Sequence, residues 1–173
     1  MYDFGDKAMR SVTTGLSVVA ILFSGAIFGF FYAWVCSTMW GLDQTDPRVA
    51  IAAMQAMNAS VRNAVFFPAF FLTPVVLALT ALMIRVQGQK APAFWIAAGA
   101  AIYLMFGLIL TMAVNVPMNE ALALVSVPEE IEAAEAIWSE YSSRWQFWNQ
   151  ARTAASAVAL ALAGYGIARL RTD

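Results

Sequence analysis

The chain contains no histidine and a single cysteine among 173 residues, and only 12% of those residues are charged. Without imidazole, histidine-ligated haem, copper, zinc and di-iron centres lose their usual ligand, and histidine acid–base chemistry is excluded. The expectation is a protein with no metal and no cofactor. Cys36 alone can form neither an internal disulfide nor a CxxC redox pair, and reads as a small packing residue. The scarcity of charge says most. Soluble domains are about a quarter charged, so this chain has shed roughly half of that. With 61% hydrophobic residues and a mean hydropathy of +0.68, lipid is its main solvent. A formal charge of −1 and the lack of a basic patch exclude nucleic acid as a partner.

What is there divides into four apolar spans, approximately 16–40, 64–84, 93–114 and 151–168, within one membrane domain covering 1–173. The fold class expected is all-α, a bundle of four transmembrane helices with long helices running beyond the membrane on the non-cytoplasmic side. Span one follows a polar lead, 1–15, and its 25 residues make a helix of roughly 37 Å, enough to cross with tilt. That is too long for the apolar core of a signal peptide, so the segment is expected to be retained. Gly25 and Gly29 form a GxxxG pair at which another helix could approach closely.

Asp46-Pro47 is an N-cap followed by proline at the first helical position. One helix is expected to start there, enter the bilayer and bend near Pro68, while Pro74 frees a carbonyl that needs another donor. After span three, Pro117 disfavours helix at Val116, so the chain is expected to turn or unwind there. Ser126-Val-Pro-Glu129 has the form of a capping box opening a helix from Pro128 to Ala168.

Flanking charge sets the orientation. Lys7, Arg10, Arg85, Lys90, Arg169 and Arg171 lie on one side, and Arg48, Arg62, Arg144 and Arg152 on the other. Six against four places both termini in the cytoplasm; the location expected is a bacterial inner membrane. The opposite side carries eight acids, among them Glu129, Glu130, Glu132 and Glu135, which read as a solvated helix face and not a metal site.

On this topology the uncharged amides gather at one membrane depth, the outer interface. Gln55 and Asn58 precede span two, Asn115 and Asn119 close span three, and Asn149 and Arg152 open span four. Trp145, Trp148, Asn149 and Arg152 are spaced i, i+3, i+4, i+7 and share one helical face. Two accounts fit. Interhelical amides hold membrane bundles together at about 0.6–2 kcal/mol each, with Arg152 snorkelling or paired with Glu120. Alternatively the amides and Arg152 orient a ligand in a pocket walled by Trp145, Trp148, Tyr141 and Tyr32. Transport ranks third, because none of the four spans contains an acid to couple it.

Four motifs then align with one family. Gly29-Phe-Phe-Tyr-Ala-Trp34, Met54-Gln55-Ala-Met-Asn58, Asn115-Val-Pro117-Met-Asn119 and Trp145-x-x-Trp148-Asn149-x-x-Arg152 resemble the anthrone oxygenase-like family of integral membrane proteins, in order and spacing over nearly the whole chain. The resemblance implies a four-helix membrane fold and, for some relatives, oxidation of an anthrone to an anthraquinone without a cofactor. Carried onto this sequence, it casts Arg152, Asn149, Asn119 and Glu120 as catalytic, with Arg152 and an amide on an enolate oxygen and Glu120 or an amide-held water taking the proton. Gln55, Asn58, Asn115, Trp145, Trp148 and Tyr32 would hold the ligand. The expected partners are membrane lipid and a flat hydrophobic molecule of anthrone, quinol or polyketide type. The competing reading is a non-catalytic four-helix subunit or scaffold, packed against other membrane proteins or against its own copies.

Overall fold

The apolar spans fold into four helical rods in the computed structural model, which describes residues 2–171. The first is α1 (Tyr2–Ala33), which passes through a π-helical turn at Trp34–Thr38 into α2 (Met39–Asp43). The polar lead is therefore helical from Tyr2, and Met1 lies outside the described residues. A short α3 (Pro47–Ser60) precedes α4 (Phe66–Val86). The third rod is α5 (Lys90–Ile102), which runs through π-helical turns at Tyr103–Ile109 and Thr111–Asn115 into α6 (Val116–Ala123). The last rod, α7 (Ile131–Ala168), is a single helix of 38 residues. No strand occurs among the described residues, so the protein is all-α as expected.

All four rods are long and apolar enough to span a bilayer, as in an integral membrane protein. At 1.5 Å per residue α7 is about 57 Å long, against about 30 Å of hydrocarbon. Its surplus packs with α2, α3 and α6 at one end of the bundle. In the ring of rods α1 lies beside α4 and α7, and α5 beside α4 and α7. The core has three tiers. Trp34, Met54, Trp138 and Trp145 belong to the α3 end, Ile27, Phe31, Phe70 and Tyr103 to the middle, and Ala20, Leu77, Ile96 and Ala163 to the opposite end.

Asp46 caps α3 as expected, accepting the Arg48 N–H at 2.9 Å. Hydrogen bonds from the Arg48 side chain and backbone hold its carboxyl down at about 2. Several expectations fail, each for a local reason. The helix that begins at Pro47 does not continue into the membrane. It breaks at 61–65, where Asn63 Oδ1 accepts the N–H groups of Val65 and Phe66 at 2.8 and 3.0 Å. Asn63 Nδ2 donates back to Ser60 O at 2.7 Å, so one side chain closes α3 and opens α4. Pro68 then falls in the first turn of α4, where a missing N–H breaks no helical bond. Nor does the chain turn or unwind at Val116. The widened π-helical turn at Thr111–Asn115 leads directly into α6, with Pro117 in its first turn. The capping box does not form either, since α7 begins at Ile131 with Glu130 at its N-cap position and no side-chain cap. Finally, the Gly25–Gly29 pair is not a close contact, for a Cβ added at either would meet nothing within 4 Å.

Pro74 behaves as expected. It denies Phe70 O its i+4 donor, and the Tyr103 hydroxyl donates to that carbonyl at 2.8 Å from the neighbouring rod. Tyr103→Phe should therefore destabilise the protein by about 1–3 kcal/mol in thermal or denaturant unfolding. In a Pro74→Ala background, where residue 74 regains an N–H for Phe70 O, the same change should cost little. Equal costs in both backgrounds would disprove the link.

Candidate functional site

The buried side of α7 carries Tyr141, Trp145, Asn149 and Arg152 in helical register. Arg152 is only 5% exposed and is held from three sides. Its Nε donates to Asn149 Oδ1 at 2.9 Å, and one terminal nitrogen donates to Thr111 Oγ1 at 3.3 Å. The guanidinium lies over the ring of Phe31, 4.3 Å from its centroid, and 5.1 Å from that of Trp145. A guanidinium only donates, so these contacts fix the orientation of its partners. Asn149 must turn its oxygen to Arg152, and its Nδ2 donates to Phe31 O at 3.3 Å. Thr111 in turn donates its hydroxyl to Gly107 O at 2.6 Å. Three of the guanidinium's five N–H groups remain uncommitted, and no carboxylate among the described residues pairs with it. That is an expensive charge to hold inside a membrane bundle.

All three π-helical turns pack against α7. Such turns concentrate at functional sites because they redirect side chains and carbonyls that an α-helix would lock away.

A second hydrogen-bond group sets Asn119. Its Oδ1 accepts from Trp145 Nε1 at 2.9 Å and from the Tyr141 hydroxyl at 2.8 Å. An indole N–H can only donate, so the oxygen of Asn119 faces Trp145 and its NH₂ is free to face away. The Tyr141 hydroxyl also accepts from Asn58 Nδ2 at 3.4 Å, linking α3, α6 and α7.

Arg152 and Asn119 open onto a cleft of about 270 Å³ walled by Phe30, Phe31, Trp34, Phe66, Phe70 and Trp145. Its volume lies near the lower limit of ordinary ligand sites, roughly 300–1,000 Å³. Phe67, Phe71 and Met112, each 40–44% exposed on membrane-spanning rods, line it on the lipid side. Asn58, Arg62 and Glu120 contribute a polar rim, with Arg62 and Glu120 ion-paired at 3.4 Å. Glu120 thus pairs with Arg62 and not with Arg152.

The structure brings five sequence-nominated residues to the cleft: Arg152, Asn119, Glu120, Asn58 and Trp145. Asn149 stands one step behind, gripping Arg152. Gln55 lies elsewhere, where its Nε2 donates to Leu122 O and Val125 O at 2.8 and 2.9 Å and ties down the end of α6. Asn115 is fully buried off the cleft, and neither of its amide atoms has a hydrogen-bond partner among the described residues. Trp148 is half-buried beside the stripe with its ring edge-on to Phe147. Tyr32 is 49% exposed and stacks on Phe28. Sequence reasoning missed Phe31 and Trp34, although with Ile27 they repeat at i, i+4, i+7, the spacing of a buried face. It also missed Asp43, which accepts from Trp138 Nε1, Ser142 Oγ and Gln146 Nε2 and ties α2 to α7.

Among the described residues no three His, Cys, Asp or Glu side chains converge on a common point. No curated protein and no solved structure matches this chain. The family model described as anthrone oxygenase matches residues 56–162, well over half of the sequence. That stretch includes Asn58, Thr111, Asn119, Trp145, Asn149 and Arg152, the polar framework of the cleft. The chain belongs to the anthrone oxygenase family.

Proposed function

We propose that the cleft binds a flat, hydrophobic ketone from the bilayer and oxidises it with O₂, as in conversion of an anthrone to an anthraquinone without a cofactor. The observation that carries this reading is Arg152, a buried cation with uncommitted N–H groups and no carboxylate partner, opening onto an aromatic cleft. An oxyanion formed on a bound substrate would give that charge its partner.

The ring CH₂ opposite the anthrone carbonyl loses a proton, and the electron pair delocalises onto the carbonyl oxygen. Arg152 N–H groups and the Asn119 NH₂ would donate to that oxygen, while Trp145 and Trp34 flank the rings. Glu120, on the rim, is the nominated proton acceptor. The electron-rich enolate reduces O₂ and bonds it at the former CH₂ carbon, and protonation gives a hydroperoxide. Loss of water then breaks the O–O bond and the remaining C–H bond, leaving the second carbonyl. One O₂ is consumed and one water released per turnover. Substrate and O₂ both concentrate in lipid, which suits a cleft with apolar side chains on its lipid side.

The competing reading is a non-catalytic subunit, favoured by Gln55 and Asn149, whose amides are spent on protein groups. In either case we assign both termini to the cytoplasm on the charge asymmetry, and the location we propose is a bacterial inner membrane. The deciding experiment incubates the purified protein in nanodiscs with an anthrone under air. Anthraquinone should form faster than by autoxidation, with one O₂ taken up per anthrone. A rate equal to that of empty nanodiscs would overturn the catalytic reading.

A further inference from the structure

The opposite end of the bundle carries a site unrelated to the cleft. There α4 ends at Val86 and α5 begins at Lys90, joined by a link in which Gly88 takes a φ of +82°. This tight reversal places Arg85, in the last turn of α4, and Lys90, at the first position of α5, together at the head of an apolar groove. The groove, of about 490 Å³, runs down the outside of α4 and α5 over Ala78, Ala81, Ala93 and Ala97, between the exposed side chains of Leu82 and Phe94. Alanine facing alanine leaves a channel where larger side chains would fill it.

Lys90 also borders a second cleft, of about 480 Å³, shared with Trp95, Tyr165, Arg169 and Arg171. This one is fixed in place. Gln89 accepts the Arg171 N–H at 2.8 Å and donates back to Arg171 O at 3.4 Å, which pins the segment just after α7 to the link. Arg169 stacks on Tyr165, 4.9 Å from the ring centroid. Neither the groove nor the cleft contains an Asp or Glu, and from Pro47 to Asn119 the sequence has none. Among the described residues Arg85, Lys90, Arg169 and Arg171 have no ion-pair partner.

We propose that this face holds one anionic phospholipid, its phosphate at Arg85 and Lys90, an acyl chain in the alanine groove, and its remaining headgroup toward Arg169 and Arg171. Cations in recesses lined by no Asp or Glu, beside aromatic rings at the membrane interface and directly above an apolar channel, match the two halves of such a lipid. A free phosphate would use only the upper half.

The test is native mass spectrometry of the full chain taken from vesicles of equal phosphatidylglycerol and phosphatidylcholine. One phosphatidylglycerol should be retained in preference. Arg85→Ala and Lys90→Ala should each reduce that preference about fivefold. Ala78→Leu with Ala97→Leu, both at exposed positions, should abolish retention while the melting temperature stays unchanged. Equal retention of both lipids overturns the proposal. So does displacement of the bound species by millimolar inorganic phosphate with the groove variants behaving as wild type, which would mark a simple anion site. The readout is lipid retention, so the outcome is independent of any activity at the cleft.

Discussion

Arg152→Met should reduce anthrone turnover by about 10²–10³-fold, the usual effect of removing one principal donor to a developing oxyanion, while the protein stays folded. The two halves of this result have separate causes. Methionine fills most of the same volume on the aromatic platform of Phe31 and Trp145 but donates no hydrogen bond. It also removes a buried charge that has no carboxylate partner, and replacing buried charge with packed apolar groups is often neutral or stabilising by about 1–4 kcal/mol. Against that stands the loss of donors to Asn149 Oδ1 and Thr111 Oγ1. Stability should therefore hold or rise as activity disappears. Arg152→Lys should recover part of the activity, since an ammonium keeps the charge but cannot reach Asn149, Thr111 and a ligand with the same fork. The measurements are turnover and thermal unfolding on the same nanodisc preparations. Unchanged turnover removes Arg152 from the mechanism. Collapse of the fold in Arg152→Met would instead mean that the guanidinium is helix glue.

The α7 stripe could be read from sequence because periodicity needs nothing but the chain itself. At about 100° per residue, Asn149 and Arg152 fall within roughly 40° of Trp145, and all three are buried. Trp148 falls about 60° to one side, and spacing cannot tell whether a neighbouring rod reaches that far. None does so fully. A similar limit separated Phe31 from Tyr32. Adjacent residues point about 100° apart, and the hydroxyl made Tyr32 the more tempting choice while the plain phenyl ring carried the cation. The π-helical turns were hidden for a different reason, because whether a turn takes an i→i+5 bond depends on what packs against it. That also misled the reading of Pro117, judged against an ordinary α-helix. The break at 61–65 was not read from sequence, because it depends on Asn63 serving both helix ends with one side chain, which only the fold arranges.

Gly99→Ala should be among the most destabilising methyl additions in the bundle, and its contrast with Gly25→Ala and Gly29→Ala tests where the rods touch. A Cβ at Gly99 would lie 2.8 Å from the Ala159 carbonyl oxygen and 3.6 Å from Leu162 Cβ. The oxygen belongs to the backbone of α7, so relief requires α5 and α7 to separate and not merely a side chain to rotate. Overpacking of this kind costs about 1–3 kcal/mol. Gly166, on the same pair of rods, is equally tight, with Pro92 O at 2.9 Å from its added Cβ. The sequence advertised the opposite pair. Gly25 and Gly29 have the spacing of a helix-crossing motif, yet nothing lies within 4 Å of either added methyl. Alanine there should instead gain up to about 1 kcal/mol per site from helix propensity. The changes therefore carry opposite signs in thermal unfolding. Loss of stability on Gly25→Ala or Gly29→Ala would show that this face packs against a second protein chain, whereas loss confined to Gly99→Ala places the closest crossing between α5 and α7.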